Sequence, residues 1–284
     1  MYSLIIEVFL CLKGENFMSN NLEKIWKSDR AFAIDEYEQQ QYYYVAEAND
    51  LITKARHDLS ARELKIMDFA ISKIQPKDQY FSLVKTSMYE LTKVLNLKRN
   101  GKNYSDLAKT LNVLRKKDVT IYDKEKRSIT QTGWFAQAKY WENGQVELLI
   151  SNDLAPYLLG LKNNYTQYLL IDTVRLKSKY SILLYKFMRE CDKNNGEKIA
   201  ILKGTPEEVK EWLGTPKNYT YNQLKEKVLK KAIEEINLKI NDMDLVLYQK
   251  KRGRTVVEIE IHNNSVQMST DNNPDLITRN WLEH

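Results

Sequence analysis

The sequence predicts an α+β fold of two tandem winged-helix domains. Hydrophobic period and turn residues give the order helix, strand, helix, helix, strand, turn, strand over residues 60–137, and the same order recurs over 178–262. This is the order of a winged helix, a helix-turn-helix with an attached β-hairpin. In both copies the third helix and the hairpin are rich in lysine and arginine. Two such modules in one chain predict a protein that lies along DNA.

The composition is compatible with this prediction without requiring it. A chain of 284 residues has room for two domains, and 43% hydrophobic with 29% charged residues is typical of a globular protein. Lys and Arg number 44 against 38 Asp and Glu, a net charge of +6, so the placement of the cations must decide whether DNA is bound. Cys11 and Cys191 are the only cysteines and lack metal-ligand spacing, which favours a reducing cytoplasm.

Composition also suggests four segments. We expect a flexible N-terminal arm over 1–41, a first domain over 42–174, a second domain over 175–264 and a polar tail over 265–284. The apolar run 3–12 is too short to span a bilayer, so no membrane association is predicted. Met18 is an alternative translation start, and 1–17 is expected to be dispensable. The last three residues resemble a tag remnant.

In the first domain, capping signals begin two helices. Ser60 and Glu63 form one capping box, and Ser87 and Glu90 form a second. Asn49 is expected to cap a short helix through His57. The other expected elements are a strand at 42–45, a helix at 60–74, a strand at 80–85, a helix at 87–97, a basic link at 98–102, a helix at 103–117, strands at 119–123 and 128–138, a strand at 146–150 and a helix at 152–161.

The second domain repeats the pattern with stronger signals. Thr205, Pro206 and Glu208 combine an N-cap, a first-turn proline and an N3 glutamate, and Gly214 with Pro216 ends that helix. The elements expected here are helices at 178–192, 205–213 and 220–241 and strands at 199–202, 244–249 and 255–262.

The turn over 250–254 is the sharpest functional signal. It holds four cations, Lys250, Lys251, Arg252 and Arg254, and Gly253 supplies the positive φ of a tight hairpin. A hairpin tip projects from its domain and can reach phosphates or a minor groove. The alternative is an ordinary solvated loop tip.

The helix over 220–241 is the second signal. Six polar residues lie opposite its apolar stripe at 100° per residue: Thr220, Gln223, Lys227, Lys230, Lys231 and Glu234. The Thr, Gln and Lys side chains among them can reach base edges or phosphates from a helix in the major groove. The alternative is a solvated face with Glu–Lys pairs. We expect the first half of the helix to read DNA and the second half to pack.

The first domain offers a weaker version of this surface. Its third helix places Lys109, Asn112 and Lys116 opposite the leucines, with Arg115 and Lys117 beside them. The turn over 123–127 mixes acidic with basic residues, and a solvated basic face is again the alternative. We therefore expect the first domain to bind DNA less tightly and to serve contacts between chains.

Catalytic chemistry finds little support in the sequence. The histidines are His57, His262 and His284, no zinc-binding or nucleotide-binding motif occurs, and neither a metal nor a cofactor is predicted. Tyrosine nucleophiles would suit a strand-nicking enzyme, but the tyrosines over 42–44 with Tyr165 and Tyr168 are expected to be strand and core aromatics. The chain is predicted not to be an enzyme.

Short motifs in a fixed order are spread over residues 42–262. The junction between the two expected domains holds Leu176-Lys177-Ser178-Lys179-Tyr180-Ser181 with Leu184-Tyr185. The other segments are Leu59–Lys65, Leu114–Lys117, Ile150-Ser151, Leu154–Leu158, Glu211–Gly214, Val228–Ala232, Glu235–Asn237 and Gly253-Arg254. In these segments, and most strongly at the junction, the chain resembles the initiator replication proteins of iteron-containing, theta-replicating bacterial plasmids.

This resemblance implies a cytoplasmic bacterial protein whose partner is double-stranded DNA. It implies that monomers bind direct repeats (iterons) at the plasmid origin, mainly through the second domain, and that the origin is bent and melted. It also implies recruitment of the host initiator protein and the replicative helicase. Homodimers through the first domain are expected to repress the protein's own gene at an inverted repeat. The alternatives are a winged-helix transcriptional repressor and, less favoured, a rolling-circle nicking enzyme.

Overall fold

A computed structural model describes residues 36–98, 101–123, 126–194 and 199–265. The predicted arm up to residue 35 and the predicted tail beyond 265 lie outside the described residues. From Tyr37 onward, the described residues belong to one compact unit. In these ranges no helix is both long and apolar enough to cross a membrane.

The first half of the chain alternates short helices with antiparallel strands. Its elements are α1 (Glu36–Gln39), a 3-10 turn (Gln40–Tyr42), β1 (Tyr44–Ala48), α2 (Asn49–Thr53), β2 (Ala55–Arg56), α3 (Ala61–Ile71), β3 (Val84–Ser87), α4 (Met88–Val94), α5 (Gly101–Leu114), β4 (Asp118–Asp123), β5 (Ser128–Gly133), β6 (Phe135–Tyr140), β7 (Gln145–Ile150), a 3-10 turn (Asn152–Leu154), α6 (Ala155–Leu158), β8 (Tyr165–Leu169) and α7 (Leu170–Arg175).

The second half begins with a long helix. Its elements are α8 (Lys179–Asn194), β9 (Ile201–Gly204), α9 (Pro206–Trp212), α10 (Tyr221–Lys239), β10 (Leu245–Arg252) and β11 (Thr255–Asn263). Helix α10 is continuous but has a π-helical turn at Lys225–Leu229, between the α-helical parts Tyr221–Leu224 and Lys230–Lys239.

Within the described residues, four small antiparallel sheets hold these elements together. Their strand orders are β1-β8, β2-β4-β5, β3-β7-β6 and β10-β11-β9. The expected single strand over 128–138 was wrong, because the buried Trp134 separates β5 from β6 and each strand joins a different sheet. The hairpins β4–β5 and β10–β11 are the wings of the two winged helices. The α+β class and the tandem winged helices are thus confirmed.

The predicted helix starts at Ser60, Ser87, Thr205 and Thr220 are confirmed. Ser60 and Thr205 form complete capping boxes, each with the glutamate three residues on. Ser87 accepts the Glu90 N–H at 3.0 Å, but the Glu90 carboxylate pairs with Lys73 instead of closing the box. These starts could be predicted because a cap needs only residues within one turn.

Two predicted helices were wrong because distant contacts override the local signal. Asn49 is the first helical residue and not the cap; its side chain accepts from Thr166 at 2.8 Å and donates to Glu190 at 3.3 Å, and the helix ends at Thr53. The helix expected over 152–161 is a 3-10 turn followed by α6, which contains Pro156.

Several predictions about the aromatic residues and the helix ends also need correction. Tyr42 and Tyr43 are 52% and 46% exposed, so neither is a core aromatic, whereas Tyr168 is buried. Tyr165 and Tyr168 lie in strand β8, as expected of strand aromatics, whereas the bounds of β8 and the helix α7 had no sequence prediction. The last residues of the expected arm form α1 and a 3-10 turn, where the Gln41 side chain donates to the Val94 carbonyl at 2.7 Å.

Helix α8 lies between the two halves and packs against both. It contacts α2, α3 and β8 on one side and β9 and α10 on the other. Lys186 on this helix is buried and ion-paired with Asp68 at 2.7 Å and Glu47 at 3.0 Å in the first half. Arg189, one turn further, binds Asp242 of the second half at 2.6 Å. One helix therefore completes the core of both winged helices.

Candidate nucleic-acid interface

Helix α10 is the third helix of the second domain and presents a polar outer face. Its inner face is buried through Leu224, Val228, Leu229, Ala232, Ile233 and Ile236. The π-helical turn over Lys225–Leu229 shifts the residues after it relative to a regular α-helix. The helix ends at Lys239, two residues earlier than expected.

The structure places Thr220 and Gln223 at the start of α10, where they cap the helix. The Thr220 hydroxyl accepts the Gln223 N–H at 3.3 Å, and the Gln223 Oε1 accepts the Thr220 N–H at 2.9 Å. Reading bases with either side chain would give up part of this capping box. The prediction that they read base edges therefore competes with a structural role.

The three predicted lysines of α10 are all exposed but differ in their surroundings. Lys227 lies over the ring of Tyr219, with the Nζ 5.5 Å from the ring centroid. Lys230 pairs with Glu226 at 2.8 Å, the arrangement that the alternative interpretation expected. Lys231 is exposed and forms no ion pair with the described carboxylates. Lys227 and Lys231 are thus the helix cations most available to a phosphate.

The wing of the second domain is longer and its turn tighter than predicted. Lys250, Lys251 and Arg252 belong to strand β10, and the loop is the residue pair Gly253 and Arg254. The expected five-residue turn was therefore wrong. Gly253 has φ +63°, which a side chain at this position would strain. A β-bulge follows Lys250 and re-aims the strand at the tip.

The tip of this wing projects from the domain. Strand β9 pairs only with residues 259–262 of β11, so the distal part of the hairpin is a two-stranded ribbon with exposed side chains. Lys250 is held by Glu258 across the ribbon at 3.5 Å. Lys251, Arg252 and Arg254 are exposed, and none of them pairs with a carboxylate in the described ranges. Three cations are thus presented at the tip with no acidic partner among the described residues.

A hydrogen bond connects the helix to the wing. The hydroxyl of Tyr221, in the first turn of α10, donates to the Oε1 of Gln249 on β10 at 2.6 Å. Sequence reasoning missed both residues, since nothing in the period of either element relates positions 28 residues apart. Lys217, Asn218 and Asn222 are also exposed around the start of α10 and were not predicted.

The first domain places its predicted residues on one exposed surface at the end of its third helix. Lys109 and Asn112 lie on α5. Arg115 and Lys116 were expected on this helix as well, but they lie just beyond its last residue, Leu114. All four are exposed, and the three cations have no ion pair with described residues. The neighbouring Lys117 has a structural role, because it binds the buried Glu63 at 2.9 Å.

The wing of the first domain is less cationic at its tip. Asp123 accepts the Lys126 N–H at 3.0 Å and pairs with its ammonium at 3.2 Å, and the backbone hydrogen bond lowers the pKa of Asp123. Tyr122 and Ile129 face each other across the hairpin and are 41% and 67% exposed. No three His, Cys, Asp or Glu side chains of the described residues converge as a metal site.

Family models match both halves of the chain. The model described as "Initiator Replication protein, WH1" matches residues 44–189, and that described as "Initiator Rep protein, WH2" matches 205–263. The chain belongs to the initiator replication protein family. The resemblance seen in the sequence is confirmed, and the protein is a replication initiator built from two winged helices.

Two solved structures align with most of the chain, and the first of them shares its fold. The crystal structure of the Pi initiator protein in complex with iteron DNA aligns with a TM-score of 0.63 at 18% identity, over 78% of this chain and 97% of that one. A structure of domains 2 and 3 of RctB aligns at a TM-score of 0.43 and 9% identity, over 76% of this chain and 81% of that one. The first likeness establishes the fold of this initiator over most of its described length.

Proposed function

We propose that this initiator binds the direct repeats of a bacterial plasmid origin, with the second domain as the main reader. The observation that carries the proposal is the cationic wing tip next to α10, where Lys251, Arg252 and Arg254 are exposed without described acidic partners. Unpaired surface cations release the counterions of phosphates at little desolvation cost. The similar fold of the Pi initiator protein, which was crystallised with iteron DNA, supports the same assignment.

In this proposal the segment from Thr220 to Lys231 lies in the major groove, and the wing from Lys250 to Arg254 contacts phosphates or the minor groove. Lys109, Asn112, Arg115 and Lys116 of the first domain add contacts along the same duplex. Binding energy bends the origin and helps an AT-rich stretch to melt, and the protein itself catalyses no covalent step.

The partners and the location in the cell complete the proposal. The origin-bound protein recruits the host initiator protein and the replicative helicase in the bacterial cytoplasm. A homodimer through the first domain represses the protein's own gene at an inverted repeat. A plain transcriptional repressor would use the same surface, so the test must separate these two functions.

Footprinting and plasmid maintenance together provide that test. The purified protein should protect tandem direct repeats near its own gene, and a plasmid with the origin but a disrupted gene should be lost. Persistence at normal copy number would reject the initiator role and leave repression. A tyrosine–DNA adduct formed with a divalent metal would instead identify a nicking enzyme.

A further inference from the structure

Two helix ends meet at the seam between the winged helices. Helix α7 ends at Arg175 and α8 begins at Lys179. The last carbonyls of a helix and its first amides lack partners within the helix, and they carry opposite partial charges. These carbonyls and amides need hydrogen-bond partners from elsewhere in the protein. At this junction, side chains of both domains provide them.

Glu235 of α10 satisfies the amide end. Its carboxylate accepts the Lys177 N–H at 2.8 Å, the Ser178 N–H at 3.1 Å and the hydroxyl of the fully buried Ser181 at 2.7 Å. The Glu235 side chain is mostly buried, with 15% of it exposed. Burial on its own raises the pKa of Glu235, but the hydrogen bonds from Lys239, Ser181 and the two amides lower it to about 2. The carboxylate is therefore ionised at any pH used for DNA binding.

Two lysines satisfy the carbonyl end. Lys239, one turn after Glu235 on α10, donates to the Arg175 carbonyl at 2.8 Å and to the Glu235 carboxylate at 2.5 Å. Lys65 of α3, in the first domain, donates to the Val174 carbonyl at 2.7 Å. The third helix of the second domain and a core helix of the first domain thus hold the same junction from two sides.

We propose that Glu235 is a positioning residue for DNA reading. The junction between α7 and α8 is tied to the first domain by Lys65 and by the packing of α8 against α2, α3 and β8. By docking α10 on this junction, Glu235 fixes the angle and distance between the reading surfaces of the two domains. It thereby sets the base-pair spacing at which both domains bind one duplex. This inference rests on the proposed function, in which both domains contact the same DNA.

Linked binding explains why this position matters. When two modules bind one duplex, the second module binds at an effective concentration that depends on how rigidly the modules are joined. A rigid junction raises the affinity for DNA with the correct spacing and lowers the affinity for DNA with an altered spacing. A flexible junction reduces both effects, while each module still binds its own part of the DNA.

The test compares the full-length protein with its variants on DNA of altered spacing. The wild-type footprint defines the parts protected by each domain. Three duplexes are then made: the intact site, the site with roughly five base pairs (half a helical turn) inserted between the two parts, and the part protected by the second domain alone. Wild-type protein should bind the inserted site about 100-fold more weakly than the intact site.

Glu235→Gln and Glu235→Ala should lose about tenfold in affinity for the intact site, and should prefer it over the inserted site by less than about threefold. Their affinity for the second-domain part should equal that of the wild type. Lys239→Gln provides a second variant with the same expected change if Glu235 variants do not fold. Glu234→Gln, the same charge change at an exposed neighbouring position, should keep the wild-type spacing preference.

Two results would overturn the inference. Folded Glu235 and Lys239 variants with the wild-type spacing preference would show that the junction does not position the readers. An equal loss on the second-domain part alone would assign Glu235 a local role within that domain. A wild-type protein without a sequence-specific footprint would instead reject the proposed function, and the positioning role with it.

Discussion

The Tyr221 hydroxyl and the Gln249 side chain form a 2.6 Å hydrogen bond between the reading helix and the wing. One partner stands in the first turn of α10, and the other stands where β10 leaves the three-stranded sheet. The bond therefore fixes the wing against the end of the helix that we propose to enter the major groove.

Removing this hydroxyl should weaken DNA binding. Tyr221→Phe loses a hydrogen bond worth about 0.5–1.5 kcal/mol, so the affinity for cognate DNA should fall by up to about tenfold. Fluorescence anisotropy with labelled duplex measures this loss. Tyr248→Phe is the control, because the Tyr248 hydroxyl on the same strand makes no hydrogen bond with described residues. Equal affinities of the two variants would contradict the role of the Tyr221 bond.

Lys251, Arg252 and Arg254, the wing cations that pair with no carboxylate of the described residues, should contribute to the salt dependence of binding. Lys251→Ala, Arg252→Ala and Arg254→Ala should each reduce the slope of log K against log salt by about 0.9, provided that each cation neutralises one phosphate. Lys250→Ala should change the slope less, because Glu258 already neutralises Lys250 at 3.5 Å. Titrations at several salt concentrations measure the slope, with Lys203→Ala on strand β9 as the control. A slope that all three tip variants leave unchanged would remove the wing from the interface.

Thr220 and Lys227 should separate helix capping from DNA reading. Thr220→Ala removes the N-cap and should lower the free energy of unfolding by about 0.5–2 kcal/mol. Lys227→Ala should leave unfolding nearly unchanged and weaken cognate DNA selectively, by about 1–3 kcal/mol if Lys227 binds a base edge. Urea unfolding and binding to cognate and random duplexes distinguish the two. If Lys227→Ala weakens cognate and random DNA equally, Lys227 contacts phosphates and not bases.

Lys186 should be required for folding. Burial alone lowers its pKa, but the neighbouring Asp68 and Glu47 carboxylates raise the pKa above its usual value. Lys186→Met leaves both carboxylates buried without their cation, so the free energy of unfolding should fall by about 3–5 kcal/mol. Lys203→Met breaks an exposed pair with Glu260 and should cost at most about 1 kcal/mol. Similar urea midpoints for the two variants would contradict the proposed importance of the buried pairs.

His57 should make the fold sensitive to mild acid. Burial and the nearby Lys186 lower its pKa from 6.5 to about 3, and its ring packs edge-on against Trp134. The unfolded chain therefore takes up this proton below about pH 6.5 while the folded chain does not, so stability is lost as the pH falls. The free energy of unfolding should drop by about 1 kcal/mol between pH 7 and 5.5 from this group alone. Urea unfolding of wild type and His57→Gln measures the contribution, which is refuted if both lose the same stability.

The parts of the fold that the sequence predicts are those with local causes. The capping boxes at Ser60 and Thr205 each involve residues within one turn, so their positions could be predicted. The side chain of Asn49 carries the same cap signal, but it is bound by Thr166, 117 residues away, and the local signal was misleading. Strand pairing across Trp134 depends in the same way on contacts that no local pattern contains.

The candidate interface follows the same division. The exposed cations of the wing were predictable because alternation and a glycine turn define a hairpin locally. Their ion pairs were not, since Lys250 meets Glu258 only through the register of the two strands. The Tyr221–Gln249 bond and the docking of Glu235 also depend on how separate elements pack, which periodicity does not encode.

Helix α8 has a consequence for the ancestry of the chain. The buried residues of α8 belong to the hydrophobic core of both winged helices. If the coding sequence were divided between the two repeats, one winged helix would lose part of its core. Recombination could therefore not exchange one winged-helix domain for another independently of α8. A new DNA-binding domain would fold only if α8 also packed against it, so the two domains are expected to be inherited together.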